Sequence, residues 1–384
     1  MIGIVTVYKK NNYGSSLQAF ALKSFLEERG YEVFLISRQD KSIFLIKNKF
    51  YKYFKLFVNL LKYPILLNKY VELKIIQRTN NLSNKVKIEF KQFTKDFLNE
   101  KVFSYNELKK ISKGRNIKAL ICGSDQIWTV SSLDLDPVYF LQFAPRFKRI
   151  AYAPSFGVSE IPDYQKQNLK KYLKGFEHIS IREQQGAKSI KDLIDKSVPV
   201  VLDPTLLVTK DFWEERAISS KINEPYILCY FLNEPSPLAL DYIHKVKSLL
   251  NYNVLILQYY YECYQKLINH KLIDVDPFEF IGLFRNASFS LTDSFHGVAF
   301  SICYNIPFFV FDRQYGHSFN EVSRVSSILN ILGLEERFIN SHKEIALKTL
   351  EINYTNCNNK LDIERKKSTD FLLSALKSVE SNLH

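Results

Sequence analysis

Residues 1–36, MIGIVTVYKKNNYGSSLQAFALKSFLEERGYEVFLI, decide the fold class. Ile2 to Tyr8 reads as a buried strand, and Ser15 or Ser16 can cap a helix whose apolar positions Leu17, Phe20, Ala21 and Phe25 recur at helical spacing. Gly30 stands where a helix terminates, and Val33 to Ile36 is a second short apolar strand. Strand, loop, helix and strand make the opening unit of an α/β domain of nucleotide-binding type. Between the first strand and the helix, Asn11 to Ser16 places a glycine among backbone amides at a helix N-terminus, a cradle for an anion or a hydroxyl. The same residues would also form a tight turn with no ligand, and the GxGxxG fingerprint is absent.

Outward from this unit the pattern repeats. Lys118 to Cys122, Arg149 to Ala153, His178 to Ile181 and Val198 to Leu202 are short apolar strands that end in Gly-Ser-Asp-Gln, Pro-Ser-Phe-Gly, Arg182 and Asp203-Pro204-Thr205. Apolar strands ending in polar turns are what an open parallel sheet shows at its carboxyl edge, where ligands bind. A second set, Tyr226 to Phe231, Val254 to Gln258, Phe289 to Thr292 and Pro307 to Phe311, alternates with helical segments around 237–250, 276–286, 295–304 and 323–332. The expected architecture is α/β: two Rossmann-like domains with parallel sheets facing a cleft. Residues 1–205 form the first domain and 206–340 the second, while 341–384 are helical and pack back on the first.

The 384 residues carry a formal net charge of +13, with 46 % hydrophobic and 24 % charged residues. That balance excludes disordered and collagen-like chains, and no apolar run approaches the ~18 residues of a membrane-spanning helix. Residues 41–118, expected as a basic helical insertion in the first domain, hold 19 Lys and Arg against 5 Asp and Glu, net +14, so one segment carries the whole excess. Within it, Phe50, Phe54, Phe57 and Leu61 share one helical face and Lys52, Lys55, Asn59 and Lys62 another. A basic amphipathic helix of this kind suits an anionic membrane surface; a helix covering the domain with its lysines in solvent is the competing reading. No nucleic-acid recognition module is present. The five cysteines lie at least 34 residues apart, too far for a zinc knuckle or a redox pair, and no metal or tightly bound cofactor is expected. Without a signal peptide, the expected location is the cytoplasm, with the inner face of the plasma membrane as a peripheral site.

Three strand ends carry candidate chemistry. In Gly123-Ser124-Asp125-Gln126-Ile127-Trp128, Asp125 can orient a sugar hydroxyl and Trp128 can stack on a sugar face or simply cover the sheet end. Ser155-Phe156-Gly157 holds the same position on the next strand. In Thr292-Asp293-Ser294-Phe295-His296-Gly297 an imidazole stands beside the first turn of a helix, with Ser294 as cap and Gly297 opening the backbone, a place suited to proton transfer next to a bound anion. Arg182, Arg313 and Arg324 add guanidiniums that fork onto carboxylate or phosphate; Arg313 and Arg324 bracket a loop holding His317.

The runs NNYGSSLQAFAL, ICGSDQIW, RIAYAPSFG, ISIREQQGA, VVLDPTLL, DPFEFIGLFRNASFSLTDSFHGVAFS and SRVSSIL together resemble the polysaccharide pyruvyl transferase family, from residue 2 to about 338 except for 41–118. The resemblance implies a fold similar to the GT-B glycosyltransferases. It implies transfer of pyruvate from phosphoenolpyruvate to a sugar of a bacterial exopolysaccharide, capsule or wall glycan, forming a ketal, often on a lipid-linked intermediate. Arg182 and His296 match the family's anion-holding arginine and its acid/base histidine. Many members carry an arginine two residues before that histidine, where this chain has Ser294. Donor binding is accordingly expected from Arg182, Ser294, Gly297, Arg313 and Arg324, and acceptor binding from Asn12, Tyr13, Gly14, Ser124, Asp125, Gln126 and Ser155. A nucleotide-sugar glycosyltransferase of the same architecture and a non-catalytic saccharide-binding member are the competing readings.

Overall fold

The computed structural model describes residues 1–9, 11–39, 82–130, 135–219, 222–257, 270–313 and 322–382. The amphipathic stretch from Lys49 to Lys62 and the position of His317 lie outside these residues.

The first half runs β1 (Ile2–Val5), α1 (Tyr13–Glu27), β2 (Val33–Arg38), α2 (Asn84–Phe97), β3 (Glu100–Phe103), α3 (Tyr105–Lys113), β4 (Ala119–Cys122), β5 (Arg149–Ala151), α4 (Asp163–Leu173), β6 (His178–Ile179) and α5 (Gln184–Ile194). Two short helices follow, α6 (Pro204–Leu207) and α7 (Lys210–Glu214). The second half continues with β7 (Tyr226–Tyr230), α8 (Pro237–Leu250), β8 (Asn253–Leu257), β9 (His270–Ile273), α9 (Pro277–Asn286), β10 (Phe289–Thr292), α10 (Phe295–Cys303), β11 (Phe308–Phe311), α11 (Val322–Leu332) and β12 (Phe338–Ile339). Helices α12 (Leu347–Leu350) and α13 (Tyr354–Ser381) close the chain.

Each half builds one six-stranded parallel sheet, ordered β3-β2-β1-β4-β5-β6 and β12-β11-β10-β7-β8-β9. Counted within its own half, the second order is the first one read from the other edge, so both sheets have the doubly wound topology. Its strand order reverses beside the first strand, and there a crevice opens at the carboxyl ends. In the first sheet that point lies between β1 and β4, in the second between β7 and β10.

Local chemistry explains where elements begin. Helix α1 starts at Tyr13 because the Asn12 side chain accepts from the amide of Ser15; Ser15 and Ser16 lie inside the first turn and cap nothing. Val198 to Leu202 contributes one bridge, Val200 to Ile181, and no ladder, because Pro199 has no N–H to offer and Asp203 already caps α6. The segment read as a basic helical insertion, 41–118, is in its described part helix, strand and helix, and Glu100–Phe103 is the first sheet's edge strand, paired with β2. Alternation is weak over those four half-exposed residues, so the sequence pattern hides them.

The sheets are joined by an apolar layer that includes Leu17, Phe20, Trp213, Phe280 and Phe300. Tyr13 stacks on Phe280 with ring centroids 4.5 Å apart and donates its hydroxyl to the Val275 carbonyl at 2.8 Å. Such a ring pair adds about 0.5–1.5 kcal/mol beyond its area burial. Helix α13 returns to the first sheet: Ser368 Oγ accepts from the Leu202 amide at 2.9 Å, Arg365 Nε donates to the Leu206 carbonyl at 3.1 Å, and Lys118 meets Glu380 at 3.1 Å. Among the described residues no helix is long and apolar enough to cross a membrane.

Candidate functional site

Five carboxyl-end segments of the two sheets converge on one buried polar network. Asp203, at the cap of α6, accepts from the Thr205 amide at 3.0 Å and hydroxyl at 2.8 Å through Oδ1. Its Oδ2 accepts from Ser124 Oγ at 2.8 Å and from Arg182 Nη1 at 2.5 Å. Asp125, after β4, accepts from Arg182 Nη2 at 3.4 Å and from Ser15 Oγ, in the first turn of α1, at 2.6 Å. Burial alone would raise the Asp125 carboxyl, but Arg182, His296, Ser15 and Arg324 together bring it down to about 2. The same opposition holds at Asp203, where His296 and Arg182 outweigh burial and lower the pKa. Glu183 goes the other way, because burial wins over Arg182. Its Oε1 accepts from Ser155 Oγ and the Phe156 amide, both at 3.0 Å.

His296 enters this network from the second sheet. It sits in the first turn of α10, is 5 % exposed, and brings Nε2 to 3.7 Å from Asp203 Oδ1. Its other face lies on Gly14, where an added Cβ would stand 2.0 Å from Nδ1. Glycine is needed there so that an imidazole of one domain can touch the helix start of the other.

Beside the first turn of α10 lies a small open cavity lined by Asp293, Phe295, Asp312, Arg313 and Arg324 together with apolar side chains. Asp293 shapes its rim: its carboxylate accepts from the amides of Leu232 at 2.7 Å and Asn233 at 3.0 Å, tying the end of β7 to the end of β10 at the reversal point. Arg313 donates from Nη2 to the Asp293 carbonyl at 3.2 Å, with Nε 3.6 Å from its carboxylate. Arg324, buried in α11, acts electrostatically on both Asp125 and Glu183. The first-turn amides of α10 have no intrahelical acceptor and give this end of the helix a positive potential. Arg313, Arg324, Asp293 and Asp312 thus share one space with a helix N-terminus, and the imidazole of His296 follows Phe295 on that helix.

The structure redistributes the residues singled out in the sequence. His296, Arg182, Asp125, Ser124 and Gly14 come together; Arg313 and Arg324 line the adjacent cavity. Arg182 is not open to a ligand, since its side chain is 1 % exposed between two carboxylates, with its guanidinium 4.3 Å from the Phe295 ring. Gly297 does not open the backbone: an added Cβ would stand 2.3 Å from Thr292 Oγ1, so the glycine lets α10 pack on β10. The Ser294 hydroxyl caps nothing and is buried beside the Tyr230 phenol. Tyr13 belongs to the layer between the sheets, and Ser155 holds Glu183. Asn12 and Gln126 are half-buried at the two loops facing the cleft. Trp128 is core, stacked on Phe140 at 5.2 Å with Nε1 donating to the Tyr139 carbonyl, so it offers no face to a sugar. Sequence reading missed Asp203, Ser15 and Glu183 as members of the network. Asp203-Pro204-Thr205 carried a signal, an acid followed by proline directly after an apolar run, which is a helix start at a sheet edge. Among the described residues no three His, Cys, Asp or Glu side chains gather as a metal site requires.

A family model described as polysaccharide pyruvyl transferase matches residues 12–315. No curated protein matches the sequence. Among solved structures the chain is similar to UDP-N-acetylglucosamine 2-epimerase from Rickettsia bellii, with a TM-score of 0.52 and 10 % identity over 98 % of this chain and 96 % of that one. It is also similar to MnaA of S. aureus solved with UDP, with a TM-score of 0.49 and 13 % identity over 100 % and 91 %. At 10 % identity the likeness to the Rickettsia bellii structure is one of fold, and with the two doubly wound sheets it gives two Rossmann-like domains, as expected.

Proposed function

The chain belongs to the polysaccharide pyruvyl transferase family, and from that premise we propose that it transfers pyruvate from phosphoenolpyruvate to two hydroxyls of a glycan sugar. One observation carries the reading: Arg313, Arg324 and Phe295 line one open cavity at the start of α10, and His296 is the next residue of that helix. A small donor with a phosphate and a carboxylate matches paired guanidiniums and a helix N-terminus. Arg313 and Arg324 would supply the charge that other members take from the arginine at position 294.

The chemistry needs one proton delivered and two removed. Protonation of the donor's methylene carbon makes a methyl group and leaves positive character on the adjacent carbon. A sugar hydroxyl attacks that carbon and loses its proton; phosphate departs with the electrons of its C–O bond; a second hydroxyl closes the ketal and its proton leaves with phosphate. His296 gives the first proton and recovers one from the attacking hydroxyl. Asn12 and Gln126, half-buried after β1 and β4 of the first sheet, are the residues proposed to meet the acceptor. The guanidiniums hold the anionic groups, and the buried carboxylates Asp125 and Asp203 keep the interior near the developing cation from becoming net positive.

The acceptor is proposed to be a lipid-linked glycan precursor met at the inner membrane face. The test is incubation of the purified protein with phosphoenolpyruvate and free or lipid-linked saccharides. Phosphate release matched by a pyruvate ketal in the product mass is expected. Transfer of a sugar from a nucleotide sugar, with phosphoenolpyruvate untouched, would overturn the proposal.

A further inference from the structure

We propose that Asp203 is the positioning residue of His296: the carboxylate keeps a proton on Nε2 and leaves Nδ1, on the Gly14 side, as the nitrogen that exchanges protons with substrate. The inference rests on the reading of His296 as the acid/base group, and it names the residue that makes the imidazole competent.

Two independent surroundings select the same tautomer. Nε2 is buried without a hydrogen-bond partner and faces Asp203 Oδ1 at 3.7 Å. A nitrogen lone pair aimed at a buried carboxylate is repelled, whereas an N–H is attracted, and the low-dielectric interior magnifies the difference. Nδ1 lies against the first turn of α1 at Gly14, where the positive end of the helix dipole favours a lone pair over an N–H. The tautomer with Nε2–H and bare Nδ1 satisfies both neighbours, and the alternative satisfies neither.

Asp203 is itself held rigidly. Thr205 engages Oδ1 twice, and Ser124 and Arg182 engage Oδ2. With Oδ1 already occupied by Thr205, the imidazole stands off beyond hydrogen-bond length, a separation that tightens readily in a substrate complex. Arg182 acts through Asp203: it fixes the carboxylate as an anion and turns Oδ1 toward the second domain. Among the described residues His296 acts on both Asp203 and Asp125, which Arg182 also lowers, with Arg324 acting on Asp125. Asp203 caps α6 after the first sheet and His296 stands in the first turn of α10 after β10, so the pair links the two halves of the chain.

The experiment uses the full chain labelled with ¹⁵N-histidine, the His296 ring signals being identified by their loss in His296→Gln. In the wild type Nε2 is expected to carry the proton, and in Asp203→Asn the ring pattern is expected to change. In parallel, kcat for pyruvyl transfer should fall by about 100-fold or more in Asp203→Asn, while KM for phosphoenolpyruvate moves less than about threefold. An Nδ1–H tautomer in the wild type, or an unchanged ring pattern in the variant, overturns the proposal. Should Asp203→Asn fail to fold, the wild-type tautomer alone decides. Absence of any pyruvyl transfer by the wild type would instead defeat the functional reading, and the ring signals would still report on the pair.

Discussion

His296, from the second sheet, rests its imidazole on Gly14, from the first helix of the first sheet, so closely that a Cβ on Gly14 would lie 2.0 Å from Nδ1. Helix α10 can yield only by moving its first turn, which also carries the cavity wall at Phe295. Gly14→Ala is expected to cost about 1–3 kcal/mol of stability through overpacking. It should lower turnover by about 100-fold because the imidazole is displaced. Steady-state kinetics beside a urea titration checks both, and a folded variant with wild-type turnover would show that the ring contact is irrelevant to function.

Arg182 holds two buried carboxylates, Asp203 at 2.5 Å and Asp125 at 3.4 Å, and its removal leaves both unpaired. Arg182→Met is therefore predicted to destabilise the fold by about 3–5 kcal/mol, measured by chemical denaturation. If Arg182 acted only as a grip on the donor, the unfolding midpoint would be unchanged and KM for phosphoenolpyruvate would rise.

The pH dependence of stability has opposite signs at two acids of this network. Asp125 is lowered from 3.8 to about 2, so the unfolded chain binds its proton first; its stabilising contribution is complete above pH 3.8 and is lost as pH falls toward 2. Glu183 is raised from 4.5 by burial, so its contribution is present below pH 4.5 and declines as pH rises. Asp125→Asn should flatten the acid side of the stability profile, and Glu183→Gln should remove the decline on its other side. Denaturation midpoints between pH 2 and pH 7 test the pair; identical slopes in all three proteins would contradict the assignment.

The sheet architecture was legible because strands such as Ala119–Cys122 and Phe308–Phe311 are apolar throughout and end in polar turns, the mark of parallel strands covered on both faces. Strand Glu100–Phe103 was not, since an edge position leaves it half-exposed and charged. At the site, His296 stood out by its place at a helix start. The roles of Asp203 and Gly297 did not, because they depend on Arg182 and Thr292, neighbours that only the folded sheet brings near. Ser294 misled for a related reason: a serine before a helix reads as a cap, and here burial beside Tyr230 turns it inward. Periodicity reports which face a residue occupies, whereas a charge network is a property of which strand ends lie side by side.

The cavity at the start of α10 gives the most direct test of donor identity. Arg313 lines it and is anchored to Asp293 through its backbone carbonyl, so the guanidinium is held in place before any ligand arrives. A charge-assisted bond to a donor anion contributes about 1.5–3 kcal/mol, so Arg313→Ala should raise KM for phosphoenolpyruvate by about 10- to 100-fold. Little change in kcat is expected, because the contact is present in the ground state and the transition state alike. Phosphoenolpyruvate should also raise the melting temperature of the wild type and do so far less in the variant, as ligand linkage requires. Equal protection of both proteins by phosphoenolpyruvate, or protection of the wild type by a nucleotide sugar alone, would remove this cavity from the donor site.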